Sequence, residues 1–150
     1  MPIRCEIVSQ DRLVYEGDAD MVLIPGIEGE MGILPDHAPL LSTLKMGILR
    51  VRTKGEELAF TVSGGVVEVQ PDLVTVLADA AENVMEIDVA RAEAARKRAE
   101  ELLAKGPGPD TDTFLTLEAA LRRSNLRLEA VRRFRSKRTT YGGSEGKESA

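Results

Sequence analysis

From Ile3 to Ala78 apolar side chains recur at every second residue and turn residues break the runs, a rhythm that paired strands satisfy and helices do not. Ile3, Cys5 and Ile7 alternate with Arg4 and Glu6, and runs at 13–16 and 21–24 are separated by Gly17-Asp18, the second ending at Pro25. Arg50 and Arg52 flank Val51, after which Thr53-Lys54-Gly55-Glu56 turns the chain into 58–62, the sign of a hairpin. Gly64-Gly65 marks a bulge or a close backbone crossing, and Pro71-Asp72 supplies a tight turn. Val74, Val76 and Ala78 then alternate with Thr75 and Leu77, with both faces at least partly buried. The pattern predicts an antiparallel β-sandwich of two sheets over residues 1–84, its inner faces meeting in one aliphatic core.

Near Glu82 the grammar changes. Residues 88–103 read as a helix with Asp88 as its cap or a first-turn residue, and Ala92, Ala95, Ala99, Leu102 and Leu103 fall on one face. Gly106-Pro107-Gly108-Pro109 stops it, and Asp110-Thr111-Asp112-Thr113 offers caps for the next. The second helix is expected from about Phe114 to Arg135, with Phe114, Leu117, Leu121, Leu128 and Val131 as its apolar stripe, interrupted by Ser124. An α-helical hairpin, antiparallel, over 85–138 therefore follows the sandwich. The Gly-, Ser- and charge-rich residues 139–150 read as a disordered tail.

Composition sets limits on partners. Hydrophobic residues make up 43% of the chain and aromatics 3%, so packing relies on aliphatic interdigitation and little ring surface exists to stack on bases. The formal charge of -5 argues the same way, since a phosphate backbone is bound through an excess of Lys and Arg; nucleic acid is excluded as a partner. The charge is unevenly divided. Residues 1–87 hold 15 acidic and 6 basic side chains, or -9, while residues 88–138 hold 8 and 13, or +5. The basic part can lie on acidic surfaces or around an anion. Cys5 is the single cysteine, which rules out an internal disulfide and points to an intracellular protein. The longest apolar runs are too short to span a bilayer, so no direct membrane insertion is expected and any membrane association comes through a partner.

Chemistry could sit in two places. Residues 26–41 form a glycine- and proline-punctuated stretch expected to be unable to continue a regular strand, with Met31, Ile33 and Leu34 either folding back on a core or offered to a partner. His37 beside Asp36, with Ser42 nearby, is a weak catalytic signal without a nucleophile elbow, and one histidine with one cysteine makes no zinc site. The second place is Ile87-Asp88-Val89-Ala90-Arg91-Ala92, where an acid and a base share a helical face. Its plain reading is a helix cap with an ion pair. In a folded hairpin, however, Arg91 could converge with Arg123 and Arg127 on a polyphosphate, a ligand suited to forked, permanently charged guanidiniums.

The block Glu28-Gly29-Glu30-Met31-Gly32-Ile33-Leu34-Pro35-Asp36-His37-Ala38-Pro39-Leu40-Leu41, followed in order and spacing by residues 44–51, 62–69 and 74–79, resembles the epsilon subunit of bacterial F-type, proton-translocating ATP synthases. The resemblance covers roughly residues 1–138. It implies a non-catalytic central-stalk rotor subunit on the cytoplasmic face of the bacterial plasma membrane. Its sandwich would engage the gamma subunit and the c-ring, with Glu28, Glu30, Met31 and His37 as contacts. Its helices would restrain ATP hydrolysis in the alpha/beta catalytic head, with Arg132, Arg133 and Arg135 meeting an acidic segment of the beta subunits. Residues 87–92 are similar to a nucleotide-binding motif of ATP-sensing epsilon subunits, which implies ATP as a regulatory ligand at Glu82, Ile87, Asp88, Arg91, Ala92, Arg123 and Arg127. No P-loop is present, so such binding would be regulatory and not hydrolytic. The alternative is a free-standing ATP-sensing regulatory domain, which would have no need of the apolar-flanked stretch at 26–41.

Overall fold

A computed structural model describes residues 1–106, 108 and 110–135, and the chain divides into two compact units, Met1–Asn83 and a second that begins at Val84. The first unit holds eight strands: β1 (Ile3–Val8), β2 (Leu13–Ala19), β3 (Met21–Gly26), β4 (Gly29–Ile33), β5 (Leu40–Thr43), β6 (Gly47–Thr53), β7 (Glu56–Val69) and β8 (Leu73–Asn83). Strand β7 is what makes two layers. Its first half pairs with β6 and its second half, from Val66 to Val69, with β5, while β8 runs antiparallel along its other edge. One layer is therefore β4-β3-β6-β7-β8 and the other β5-β7-β8-β1-β2, so the two expected sheets share their long strands and hydrogen bonding is continuous.

The chain passes between layers at Gly64-Gly65, where φ is +66° and +112°. A Cβ added at Gly65 would lie 2.1 Å from the Leu77 carbonyl oxygen, so the expected close backbone crossing is real and only glycine fits it. One expectation needs correction. The sandwich is not wholly antiparallel, because β1 runs parallel to β8 from Arg4↔Leu73 to Val8↔Leu77. Parallel neighbours need a long crossover, and here the whole stretch from β2 to β7 supplies it.

The inner faces close on an aliphatic core that includes Ile3, Ile7, Ile24, Leu49, Val62 and Val76, with Phe60 as its largest buried side chain. Each such side chain contributes about 1.5–3 kcal/mol on burial. Tyr15 of β2 meets Phe60 of β7 with ring centroids 5.3 Å apart. Cys5 is part of this core; burial foremost, with the Glu6 charge second, pushes its thiol up to about 12 from the usual 9.0. It is a small apolar side chain and not a nucleophile.

The expectation that residues 26–41 break regular structure is also corrected. β4 lies inside that stretch and pairs with β3 from Val22↔Ile33 to Gly26↔Gly29, closing a two-residue turn at Ile27-Glu28. Gly29, at φ +134°, supplies a conformation that other residues rarely adopt. The break is confined to the segment carrying Pro35 and Pro39, between β4 and β5.

In the second unit a single 3-10 turn, Val84–Glu86, leads into α1 (Val89–Ala104) and α2 (Thr111–Phe134). Asp88 caps α1 by accepting from the Arg91 backbone N–H at 3.0 Å. The second helix starts three residues earlier than expected because Asp110 is its cap, accepting from the Asp112 N–H and the Thr113 hydroxyl. The Thr113 hydroxyl foremost, with the backbone N–H groups, holds the Asp110 carboxyl below its usual range.

The α1 stripe is only partly as expected: Ala92 and Ala99 are buried and Leu103 half-buried, whereas Ala95 and Leu102 are exposed. The inward line steps through 92, 96, 99 and 103, so the stem of Arg96 lies along it while its guanidinium reaches Glu100 at 3.1 Å. On α2, Ser124 and Ala130 are the buried residues, and the Ser124 hydroxyl donates to the Ala120 carbonyl at 2.9 Å. The expected ends at 136–138 and the expected tail at 139–150 lie outside the described residues.

Candidate functional site

The β3–β4 hairpin presents its turn outward. Ile27 is 63% exposed at the tip beside exposed Glu28, and Leu34 is 54% exposed just beyond β4. Strand alternation sorts the rest: Glu30 points to solvent, while Met31 is half-buried and packs with Ile33 against the core. Of the expected contact residues, Glu28 and Glu30 are thus at the surface, and Met31 stiffens the hairpin from below. The apolar side chain offered at the tip is Ile27. Sequence reading passed over it, although its place in the turn between Gly26 and Gly29 was the available signal.

An ion network braces this hairpin. The Arg50 guanidinium on β6 donates to both Glu30 carboxylate oxygens, at 3.0 and 3.2 Å, and lies 3.7 Å from Glu57 on β7. Glu57, with a side chain only 4% exposed, also accepts from Arg52 Nε at 2.8 Å. A carboxylate so shielded needs this pair of guanidiniums, and Arg50 of the pair in turn fixes where Glu30 stands. Sequence alternation showed Arg50 and Arg52 facing outward but not what they face.

His37 is half-buried between β4 and β5, and its Nδ1–H donates to the Ala38 carbonyl at 2.7 Å. The neighbouring Asp36 N–H donates to the Pro71 carbonyl at 2.9 Å, tying this loop to the β7–β8 turn. That is a locally bonded turn histidine.

The expected ATP contacts divide between the units. Glu82 is on β8 in the first, opposite Thr61. Ile87, Asp88, Arg91, Ala92, Arg123 and Arg127 are in the second. Asp88 serves as the α1 cap, Ile87 and Ala92 are buried, Arg91 and Arg123 are exposed, and Arg127 is half-buried. The three basic residues expected to meet a partner differ among themselves. Arg132 is exposed; Arg133 reaches Glu129 at 3.4 Å and lies over the Phe134 ring at 5.0 Å. Arg135 turns back to the start of α1, its Nη1 donating to the Ile87 carbonyl at 2.6 Å and its Nη2 to the Met85 carbonyl at 3.2 Å.

That contact ties the end of α2 to the start of α1. Ala92 and Ala99 on α1 and Ser124 and Ala130 on α2 are the buried residues of the two helices. No group of acidic, histidine and cysteine residues able to hold a metal exists among the described residues, and no helix among them is long and apolar enough to cross a membrane.

Comparison with known proteins places these two units in one family. Residues 2–84 match the sequence model of the ATP synthase delta/epsilon chain beta-sandwich domain, and residues 85–132 that of its long alpha-helix domain. The ATP synthase epsilon chain of Pelotomaculum thermopropionicum is 54% identical over 102 residues, covering 68% of this chain and 76% of that one. The epsilon chain of Dehalococcoides mccartyi is 47% identical over 133 residues, covering 89% and 94%. Among solved structures, a chain of the Euglena gracilis mitochondrial ATP synthase OSCP/F1/c-ring assembly matches with a TM-score of 0.61 at 25% identity, over 90% of this chain and 80% of that one. A chain of the Tetrahymena thermophila central stalk/c-ring assembly shares the fold, with a TM-score of 0.57 at 13% identity, over 87% and 96%. With both units matched end to end, the chain belongs to the delta/epsilon chain family of ATP synthases, among its epsilon chains.

Proposed function

We propose that this chain is a non-catalytic rotor subunit of the central stalk, working at the cytoplasmic face of a bacterial plasma membrane. Its sandwich couples c-ring rotation to ATP synthesis through the gamma subunit, and its helical hairpin restrains ATP hydrolysis in the alpha/beta head. The carrying observation is the β3–β4 tip: Ile27 and Glu28 protrude from a hairpin clamped by Arg50 and backed by Met31. A rigid projection that pairs an apolar with an acidic side chain suits docking on a partner's polar loop under torque, since little conformational freedom remains to be lost on binding. The Euglena relative comes from an assembly described as containing a c-ring, which supports that partner. Ile27→Cys and Glu28→Cys are expected to cross-link to the c-ring in the assembled synthase. Cross-linking of both to gamma or the beta subunits alone contradicts the docking assignment.

The hairpin suits a two-state role. The side chains these helices bury are small, Ala92, Ala99, Ser124 and Ala130, and a buried methyl contributes only about 0.8 kcal/mol. Such a seam is easily opened by a competing surface. ATP shared between Arg91 of α1 and Arg123 and Arg127 of α2 favours the closed hairpin, because a ligand held by both helices is lost when they separate. Replacing Arg91 or Arg127 by Ala removes a charge-assisted contact of about 1.5–3 kcal/mol, so calorimetry on the isolated protein should show at least tenfold weaker ATP binding. Undetectable binding at millimolar ATP, or equal binding by wild type and both variants, leaves this segment a helix cap only.

A further inference from the structure

Arg135 occupies a position that no role in partner binding explains. Its guanidinium reaches back across 48 residues to the Ile87 carbonyl at 2.6 Å, and its second nitrogen takes the Met85 carbonyl at 3.2 Å. These carbonyls belong to the segment where the 3-10 turn hands over to α1: Ile87 N–H bonds back to the Val84 carbonyl at 3.4 Å, and the next residue, Asp88, is the cap. Val84 and Ile87 are buried, so this short segment is anchored on its apolar side and pinned by Arg135 on its polar side. A guanidinium can bridge two carbonyls as a rigid fork and carries its charge at any physiological pH. Arg135 is half-buried, where such bonds gain strength from the lowered local dielectric.

We infer that Arg135 is the latch of the helical hairpin, a positioning residue that locks the end of α2 onto the entrance of α1. Its full set of donors becomes available to an acidic partner when the hairpin opens. This inference rests on the reading of the hairpin as a two-state element. Two of the five guanidinium N–H donors are spent on the Ile87 and Met85 carbonyls and the side chain is half-buried, so partner engagement and latch closure compete for the same group. In the closed hairpin the basic end offers exposed Arg132 to an incoming acid, while Arg133 is engaged with Glu129. The basic cluster is therefore two devices. Arg132 senses a partner from outside, and Arg135 completes the contact after opening.

Hydrogen exchange of the isolated full-length chain, read by mass spectrometry, tests the latch without the assembled enzyme. Arg135→Ala should speed exchange of the amides at residues 87–92 and in the last turn of α2 by about tenfold or more, leaving β7 and β8 at wild-type rates. Arg135→Lys should fall between, because one ammonium cannot bridge both carbonyls in the guanidinium geometry. Arg132→Ala should match wild type. Wild-type exchange in Arg135→Ala, or equal acceleration in Arg132→Ala, overturns the latch. Should Arg135→Ala also loosen β7 and β8 by general unfolding, the graded Arg135→Lys response decides: acceleration confined to the hairpin supports the latch, and none refutes it. These outcomes are independent of whether the assembled synthase is regulated by the hairpin at all.

Discussion

Gly65→Ala is expected to cost the sandwich about 3–5 kcal/mol and to lower its melting temperature by roughly 15–30 °C. Two effects combine at this residue. Its φ of +112° is one an L side chain rarely adopts, and the new Cβ would meet the Leu77 carbonyl oxygen at 2.1 Å and the Ala78 Cα at 2.8 Å. Both obstacles are backbone, so no side chain can swing aside. Relief requires moving β8, which is hydrogen-bonded to β1 as well as β7 and carries Val74 and Val76 into the core. Gly55→Ala is the matched control, since φ there is +80° but nothing lies within 4 Å of the added carbon; it should cost about 1 kcal/mol. Thermal unfolding followed by circular dichroism measures both. Equal, small losses in the two variants would mean that β7 and β8 do not cross as described.

The same glycine pair shows how far the sequence could be read. Two adjacent glycines in an otherwise β-branched run have few explanations, and the close crossing was among them. Alternation likewise identified the core residues of β1 and, in β8, Val74, Val76 and Ala78, because period two depends only on the local chain; the expected burial of the other β8 face fails at Leu77, which is 49% exposed. It could not give the direction of β1 against β8, since parallel and antiparallel neighbours share that period. The stretch at 26–41 misled for a different reason. Gly29 and Gly32 were counted as breakers, yet β4 tolerates both because Gly29 closes the turn and Gly32 lies on the outward face. The orientation of Met31 followed once that strand was recognised.

In the hairpin, the caps at Asp88 and the 110–113 cluster were legible because capping is local. The Glu30–Arg50 pair and the Arg135 contact were not. Each joins residues 20 or more apart in the chain, and no spacing rule reaches that far.

In the proposed division of labour the sandwich couples rotation by itself while the hairpin only restrains hydrolysis. The core gives the physical ground for it: among the described residues, those packed in the sandwich core lie between Ile3 and Ala81, within the first unit. A chain ending at Ile87 should therefore fold, bind gamma and support assembly. The decisive measurement compares proton-driven ATP synthesis with ATP hydrolysis in synthase reconstituted with either the full chain or this shortened one. Synthesis retained, with hydrolysis raised severalfold, is the predicted result. Failure of the shortened chain to assemble, or hydrolysis left at its full-chain rate, would contradict it.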